Sequence, residues 1–267
     1  MRKPVKLFIV EGENRDYRFL NEMLRCFMVG KYKTAVVAIP AAQNLYMLYE
    51  KLAEDDFETD VVEVLRESVP EACDRLKGIC RREIDEVYLF FDLDAHQNNL
   101  PSGGVDAYDV IEQMLHFFDN ETEHGRLYIN YPMVEALYDF RRGQCEAFSK
   151  CYVPVDFGEE YKRLVSEGNM VSASHMGFEQ WKDAIEVFAV RVKCLLGLEE
   201  LSFDLYRKTV TTISIFESER TLCESTASVF VLCAFPEFLL DYFRVDFWNS
   251  RVRMSHFIFG NCPKHGR

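Results

Sequence analysis

The chain has 267 residues, 48% hydrophobic and 28% charged, a composition that builds a packed core without disulfides and excludes extensive disorder. Its 44 acidic against 31 basic residues leave a formal net charge of -13. That excludes a broad basic surface for nonspecific nucleic-acid binding, but not a nuclease whose phosphate contacts come from local basic groups, bound metal or a basic partner.

The sequence opens Met-Arg-Lys-Pro and runs into a strand pattern over Lys6 to Val10, with no signal-peptide core, which predicts no export. Gly12 makes a turn, and Phe19, Leu20, Met23, Leu24 and Phe27 recur at helical spacing, predicting a helix over Arg15 to Met28. A second strand over Thr34 to Ile39 precedes Pro40 and a helix through Leu45, Leu48, Tyr49 and Leu52. Asp60 to Cys80 is helical with a break near Pro70, and a strand over Glu86 to Phe91 then delivers Asp92 and Asp94.

Ala95 to Gly104 is a polar loop containing His96, and a helix follows from Asp106 to Phe118, capped by Asp106 or its neighbour. A fourth strand over Arg126 to Tyr131 leads to Pro132, which is expected to open a helix carrying Glu135. The alternation predicts an α/β domain over 1–145 with a mostly parallel sheet flanked by helices. From 146 to 267 the pattern is mainly helical, at Phe157 to Glu167, Phe178 to Leu196, Ser202 to Phe216 and Thr221 to Phe243. The apolar stretch Ala227 to Phe238 contains Pro236 and falls short of the roughly 20 residues that span a bilayer, which predicts a buried helix and no membrane partner. Nine scattered cysteines, an odd number, read as reduced thiols in a cytoplasmic protein.

Two acidic signatures stand out. Glu11 follows Lys6-Leu7-Phe8-Ile9-Val10, and Asp92 and Asp94 close Val87-Tyr88-Leu89-Phe90-Phe91-Asp92-Leu93-Asp94. Both place carboxylates at the C-terminal end of an apolar strand, the edge where parallel sheets build ligand sites. Oxygen ligands of this kind suit a hard divalent cation, Mg²⁺ with Mn²⁺ as a substitute. Asp92 and Asp94 would hold the ion, and Glu11 would complete the site or handle a proton.

These residues resemble the TOPRIM fold of topoisomerases, primases and related nucleases, over roughly residues 1 to 140: Val10-Glu11-Gly12-Glu13 ends a first strand and Asp92-Leu93-Asp94 ends a later one. The resemblance assigns catalysis and metal binding to Glu11, Asp92 and Asp94. Tyr131-Pro132-Met133-Val134-Glu135 is similar to the Asn-Pro-x-x-Glu segment of OLD-like and RloB-like TOPRIM proteins, which are associated with anti-phage defence, and makes Glu135 a further metal ligand. OLD-like proteins carry a second acid a few residues after the first Glu. Here Arg15 stands at the fourth position and Asp16 at the fifth, so Asp16 takes that part. Asp16 and Glu135 also suit plain helix capping.

The chain lacks the Gly-x-x-x-x-Gly-Lys-Ser/Thr phosphate loop of the OLD ATPase portion, so nucleotide-driven control would need another polypeptide. The reading that results is a Mg²⁺-dependent nuclease acting on DNA or RNA, a defence effector held by a regulatory protein partner such as an ATPase, with oligomerisation left open. Two alternatives stay in view. A noncatalytic TOPRIM-like subunit would bind a partner through its acidic face. A haloacid-dehalogenase-like phosphohydrolase would use the Asp92-Leu93-Asp94 pair, although Ala95 and His96 stand where that family has a small hydroxyl residue. His96 as a proton carrier and Arg15, Lys31 and Lys33 as phosphate binders are weaker candidates than ordinary surface charge. Cys262 and His265, with His256 and Cys145 to Cys151, lack the paired spacing of a zinc module.

Overall fold

The computed structural model describes residues 4–28, 35–41, 43–94, 100, 104–139, 151–156, 158–167 and 176–251. The chain separates into two compact units, Met1–Ile129 and Asn130–Arg267.

The first unit begins with β1 (Val5–Val10) and α1 (Arg15–Phe27), followed by β2 (Ala35–Pro40) and α2 (Leu45–Ala53). After α3 (Val61–Ser68) and α4 (Pro70–Arg75) come β3 (Ile84–Asp92), α5 (Ala107–Phe117), β4 (Asp119–Asn120) and β5 (Gly125–Asn130). The sheet order is β2-β1-β3-β5-β4. β1 lies in the middle, parallel to β2 with Val5 opposite Ala35, and parallel to β3 with Val10 opposite Phe90. The mostly parallel, helix-flanked α/β sheet matches the expectation, with the short antiparallel β4 as an addition.

Every residue of β1 is buried, as a strand covered on both faces requires. Phe8 stacks on Tyr88 at 5.1 Å, and Phe90 on Tyr128 at 5.5 Å, so a row of rings crosses β1, β3 and β5. Each such ring contributes about 1.5–3 kcal/mol by burial. Lys6 is the exception to the apolar rule, and it ion-pairs with Glu86, its register partner on β3. The helix starts follow local chemistry. The Asn44 side chain accepts from Met47 N at 2.9 Å, Asp60 from Val62 N at 2.8 Å and Asp106 from Tyr108 N at 2.9 Å, each satisfying an amide with no partner inside its helix. Pro70 opens α4, where the missing N–H costs nothing.

Gly125 turns β4 into β5 at a φ of +126°, and a Cβ there would lie 2.7 Å from Leu89 Cδ1 and 3.3 Å from Val87 Cγ1. Gly125→Ala is expected to cost about 2–3 kcal/mol through backbone strain and overpacking, read as a lower urea midpoint. An unchanged midpoint would show that β3 yields freely at this point.

The second unit carries a short 3₁₀ turn over Val134–Tyr138, then β6 (Tyr152–Pro154), α6 (Gly158–Glu167), α7 (Phe178–Leu195), α8 (Phe203–Thr209), α9 (Thr212–Thr226), β7 (Ser228–Phe230) and α10 (Ala234–Arg251). Trp181 of α7 meets Phe235 of α10 edge to face at 6.2 Å. No described helix is long and apolar enough to cross a membrane.

Three helical expectations are corrected here. Ser202 to Phe216 is two helices, because Val210 ends α8 and the Thr211 hydroxyl caps α9 by accepting from Ser214 N at 3.0 Å. Thr221 to Phe243 is interrupted by Ala227 at φ +50° and by β7, which pairs antiparallel with β6, so Ala227 to Phe238 is not one buried helix. Pro132 follows a cis peptide and leads into the 3₁₀ turn rather than an α-helix. Tyr131 instead exchanges backbone hydrogen bonds with Leu232, at 2.8 and 2.9 Å, and Asn130 Oδ1 accepts from Ala234 N at 2.9 Å, at the start of α10.

Glu219 of α9 is buried, with Oε2 accepting from Phe230 N at 2.9 Å. Burial raises its pKa well above the ordinary carboxylate value, against the opposing pull of the Phe230 N–H. The folded state therefore keeps a proton that the unfolded chain releases above about pH 4.3, and stability falls as pH rises from there toward the raised value. Glu219→Gln keeps the shape without the proton linkage. Denaturation at a series of pH values is expected to show its advantage over wild type widening between pH 4 and pH 7, and a constant gap would contradict this.

Candidate metal centre

Glu11 is the first residue past β1, and its N–H continues the parallel ladder to Phe90 O at 3.1 Å. Because β1 and β3 run parallel and in register, the chain after Val10 and the chain after Phe90 emerge at the same edge of the sheet. At the end of β3, Phe91 and Leu93 are buried in the core, whereas Asp92 and Asp94 are half-buried. Asp94 sits at φ +32°, in the left-handed region that Asp tolerates better than most residues.

The result is a convergence. Glu11, Asp92 and Asp94 each bring a carboxylate oxygen within 4.8 Å of the other two, all half-buried. The Glu11 carboxylate is oriented by the backbone of the opposite strand, since its Oε2 accepts from Asp92 N at 3.1 Å. Two full charges at this separation repel by roughly 3 kcal/mol at an effective dielectric of about 20, so the cluster favours a cation. An all-carboxylate donor set fits Mg²⁺ or Mn²⁺ better than the softer metals that prefer Cys or His.

Tyr46 of α2 supports the site from behind. Its hydroxyl donates to Leu93 O at 2.6 Å, holding the peptide between the two aspartates. Burial first, and then the charge of Asp94, raise its pKa, so it remains a protonated donor at neutral pH. The sequence held no signal for this role, since an aromatic on an amphipathic helix reads as core.

Of the two further ligands expected from the sequence, Asp16 is not a member of the converging group among the described residues, and Glu135 belongs to the second unit. Asp16 lies in the first turn of α1, and a Cβ on Gly12 would come within 2.7 Å of its Oδ2. Gly12 thus lets the Asp16 carboxylate approach the loop that carries Glu11. Glu135 is buried in the 3₁₀ turn of the second unit. Arg15 opens α1. His96, Lys31, Lys33, Cys145, His256, Cys262 and His265 lie outside the described residues.

Neither a protein-family model, a curated protein sequence nor a solved structure matches this chain. The functional reading therefore rests on the residues themselves: a three-carboxylate centre at the C-terminal edge of parallel strands, able to hold a hard cation and to present a carboxylate as proton acceptor.

Proposed function

We propose that this chain is a divalent-metal-dependent nuclease of the TOPRIM type, cleaving phosphodiester bonds of DNA or RNA. The observation that carries the reading is the meeting of Glu11 with Asp92 and Asp94, residues 81 and 83 positions apart in sequence, in the pattern that resembles the TOPRIM signature. Bound Mg²⁺ or Mn²⁺ supplies charge relief on the phosphate and a more acidic water. Asp92 and Asp94 would hold the cation. Glu11, oriented by the Asp92 N–H, accepts a proton from the attacking water, and Tyr46 keeps the Leu93 carbonyl in place as charge builds beside it.

The resemblance to OLD-like and RloB-like proteins supports a role in prokaryotic anti-phage defence. A regulatory partner, an ATPase among the candidates, would supply the control and the positive surface that a net charge of -13 does not. The haloacid-dehalogenase reading gains nothing from the geometry, because it leaves Glu11 without a task in the cluster. The same net charge favours a noncatalytic partner-binding subunit as the second reading.

The test is incubation of the purified chain with supercoiled plasmid, single-stranded DNA and RNA in Mg²⁺ or Mn²⁺, beside Glu11→Ala. Cutting that needs metal and disappears in the variant is expected. Wild-type protein that cuts none of the three in either metal would favour the noncatalytic subunit, and cutting retained in the variant would remove Glu11 from the chemistry.

A further inference from the structure

A groove of about 490 Å³ runs along α9 in the second unit, a size within the range of small-molecule sites. Leu195, the last residue of α7, lines it together with Glu217, Ser218, Thr221, Leu222, Ser225 and Thr226 of α9. The α9 members recur at the spacing of one helix face. From Glu217 to Thr226 that face is about 13 Å long, at a rise of about 1.5 Å per residue.

The polar side chains of this lining accept hydrogen bonds and have no proton left to donate. Each hydroxyl gives its proton to a carbonyl of α9 itself: Ser218 to Ser214 O at 2.9 Å, Thr221 to Glu217 O at 2.8 Å, Ser225 to Thr221 O at 2.7 Å and Thr226 to Leu222 O at 2.7 Å. A hydroxyl has one proton and two lone pairs, so the capacity that remains is acceptor capacity. Glu217 adds an exposed carboxylate that makes no ion pair among the described residues, because Arg220, one turn on, binds Glu224 instead at 3.1 Å. Leu195 ends α7 and Thr226 ends α9, and the C-terminal end of a helix carries partial negative charge. No Lys, Arg or His is among the described lining residues. All of this repels a phosphate or a carboxylate and favours a cation rich in N–H donors, while Leu195 and Leu222 offer apolar contact to methylene groups.

We propose that this groove binds a linear aliphatic polyamine, laid along α9 with its ammonium groups on Glu217 and the hydroxyl oxygens and its methylenes against Leu195 and Leu222. A compact cation would occupy only part of the face and would leave the two leucines unused. A chain of ammonium groups separated by short methylene runs matches both the length and the mixed lining. The site belongs to the second unit and does not depend on the nuclease reading.

The experiment is calorimetric titration of the full chain with spermidine, in EDTA and at physiological ionic strength. Saturable binding is expected, with the shorter butane-1,4-diamine about tenfold weaker. Glu217→Lys puts a cation into the groove and is expected to weaken spermidine at least about tenfold. Glu67→Lys makes the same charge change at an exposed position of α3 and should leave the affinity within about twofold. Thr221→Val keeps the shape and removes one acceptor, for an expected loss of about fivefold. The proposal is overturned by a titration without saturable binding, or by Thr221→Val at wild-type affinity. Equal losses in the two lysine variants would also overturn it, because they would reduce the binding to diffuse attraction between a polycation and a chain of net charge -13.

Discussion

Asp92→Asn is expected to abolish stabilisation of the chain by Mg²⁺, read against the metal-free protein. In EDTA the substitution removes one of three carboxylates held within 4.8 Å, and the metal-free melting temperature of each protein is the baseline for its own metal shift. The hydrogen bond that orients Glu11 comes from the Asp92 backbone and survives the side-chain change. When metal is present at a hundred times its Kd, the wild type gains about 2.7 kcal/mol, roughly 10 °C in Tm for a domain of this size. The same concentration should leave the variant unmoved. On the proposed nuclease reading, cleavage is expected to fall about a thousandfold, the equivalent of about 4 kcal/mol of lost charge stabilisation. Glu11→Gln should behave alike, since its amide oxygen can still accept from Asp92 N–H. Thermal melts with Mg²⁺ and with EDTA decide the matter: a variant whose Tm rises as much as the wild type's would place the metal elsewhere.

The second large effect lies in the other unit. Arg191 of α7 is buried, contacts Asp139 Oδ1 through Nη2 at 3.4 Å and donates through Nη1 to Val231 O at 3.0 Å. The Tyr161 hydroxyl donates to the other Asp139 oxygen at 3.3 Å. Arg191→Met fills much of the same volume but leaves the Asp139 carboxylate buried without its guanidinium, at an expected cost of about 3–5 kcal/mol. Asp139→Leu combined with Arg191→Met removes both charges and should recover most of that loss, because the penalty belongs to the isolated charge rather than to the absent pair. Urea denaturation of the single and double variants measures the coupling. A single variant within about 1 kcal/mol of wild type would mean that water or another group already compensates Asp139.

The elements that sequence reading located well are those whose signal is local. Phe19, Leu20, Met23, Leu24 and Phe27 recur at helical spacing and form the buried face of α1. Asp106 precedes an apolar periodic run and does cap α5. β1 and β3 are apolar runs that end in acids, so Glu11, Asp92 and Asp94 were legible as candidates before any fold was known. What misled the reading in the second unit was pairing at a distance. Ser228–Phe230 looks like part of a helix until Tyr152–Pro154, some 75 residues earlier, supplies the partner strand, and nothing near residue 228 announces that partner.

The same division runs through the site. By itself the sequence determined that three carboxylates would stand at strand ends, because the apolar runs before them and the turn-forming residues after them are local properties. Only the tertiary structure decided which acids share a centre. The parallel register of β1 with β3 brings Glu11 to Asp92 and Asp94, while Asp16, nearer to Glu11 in sequence, packs against Gly12 outside the group. It also recruited Tyr46, whose role depends on where α2 lands on the sheet edge. Proximity in a parallel sheet is set by the crossovers between strands, and a crossover is a property of the whole packed unit rather than of any short stretch of chain.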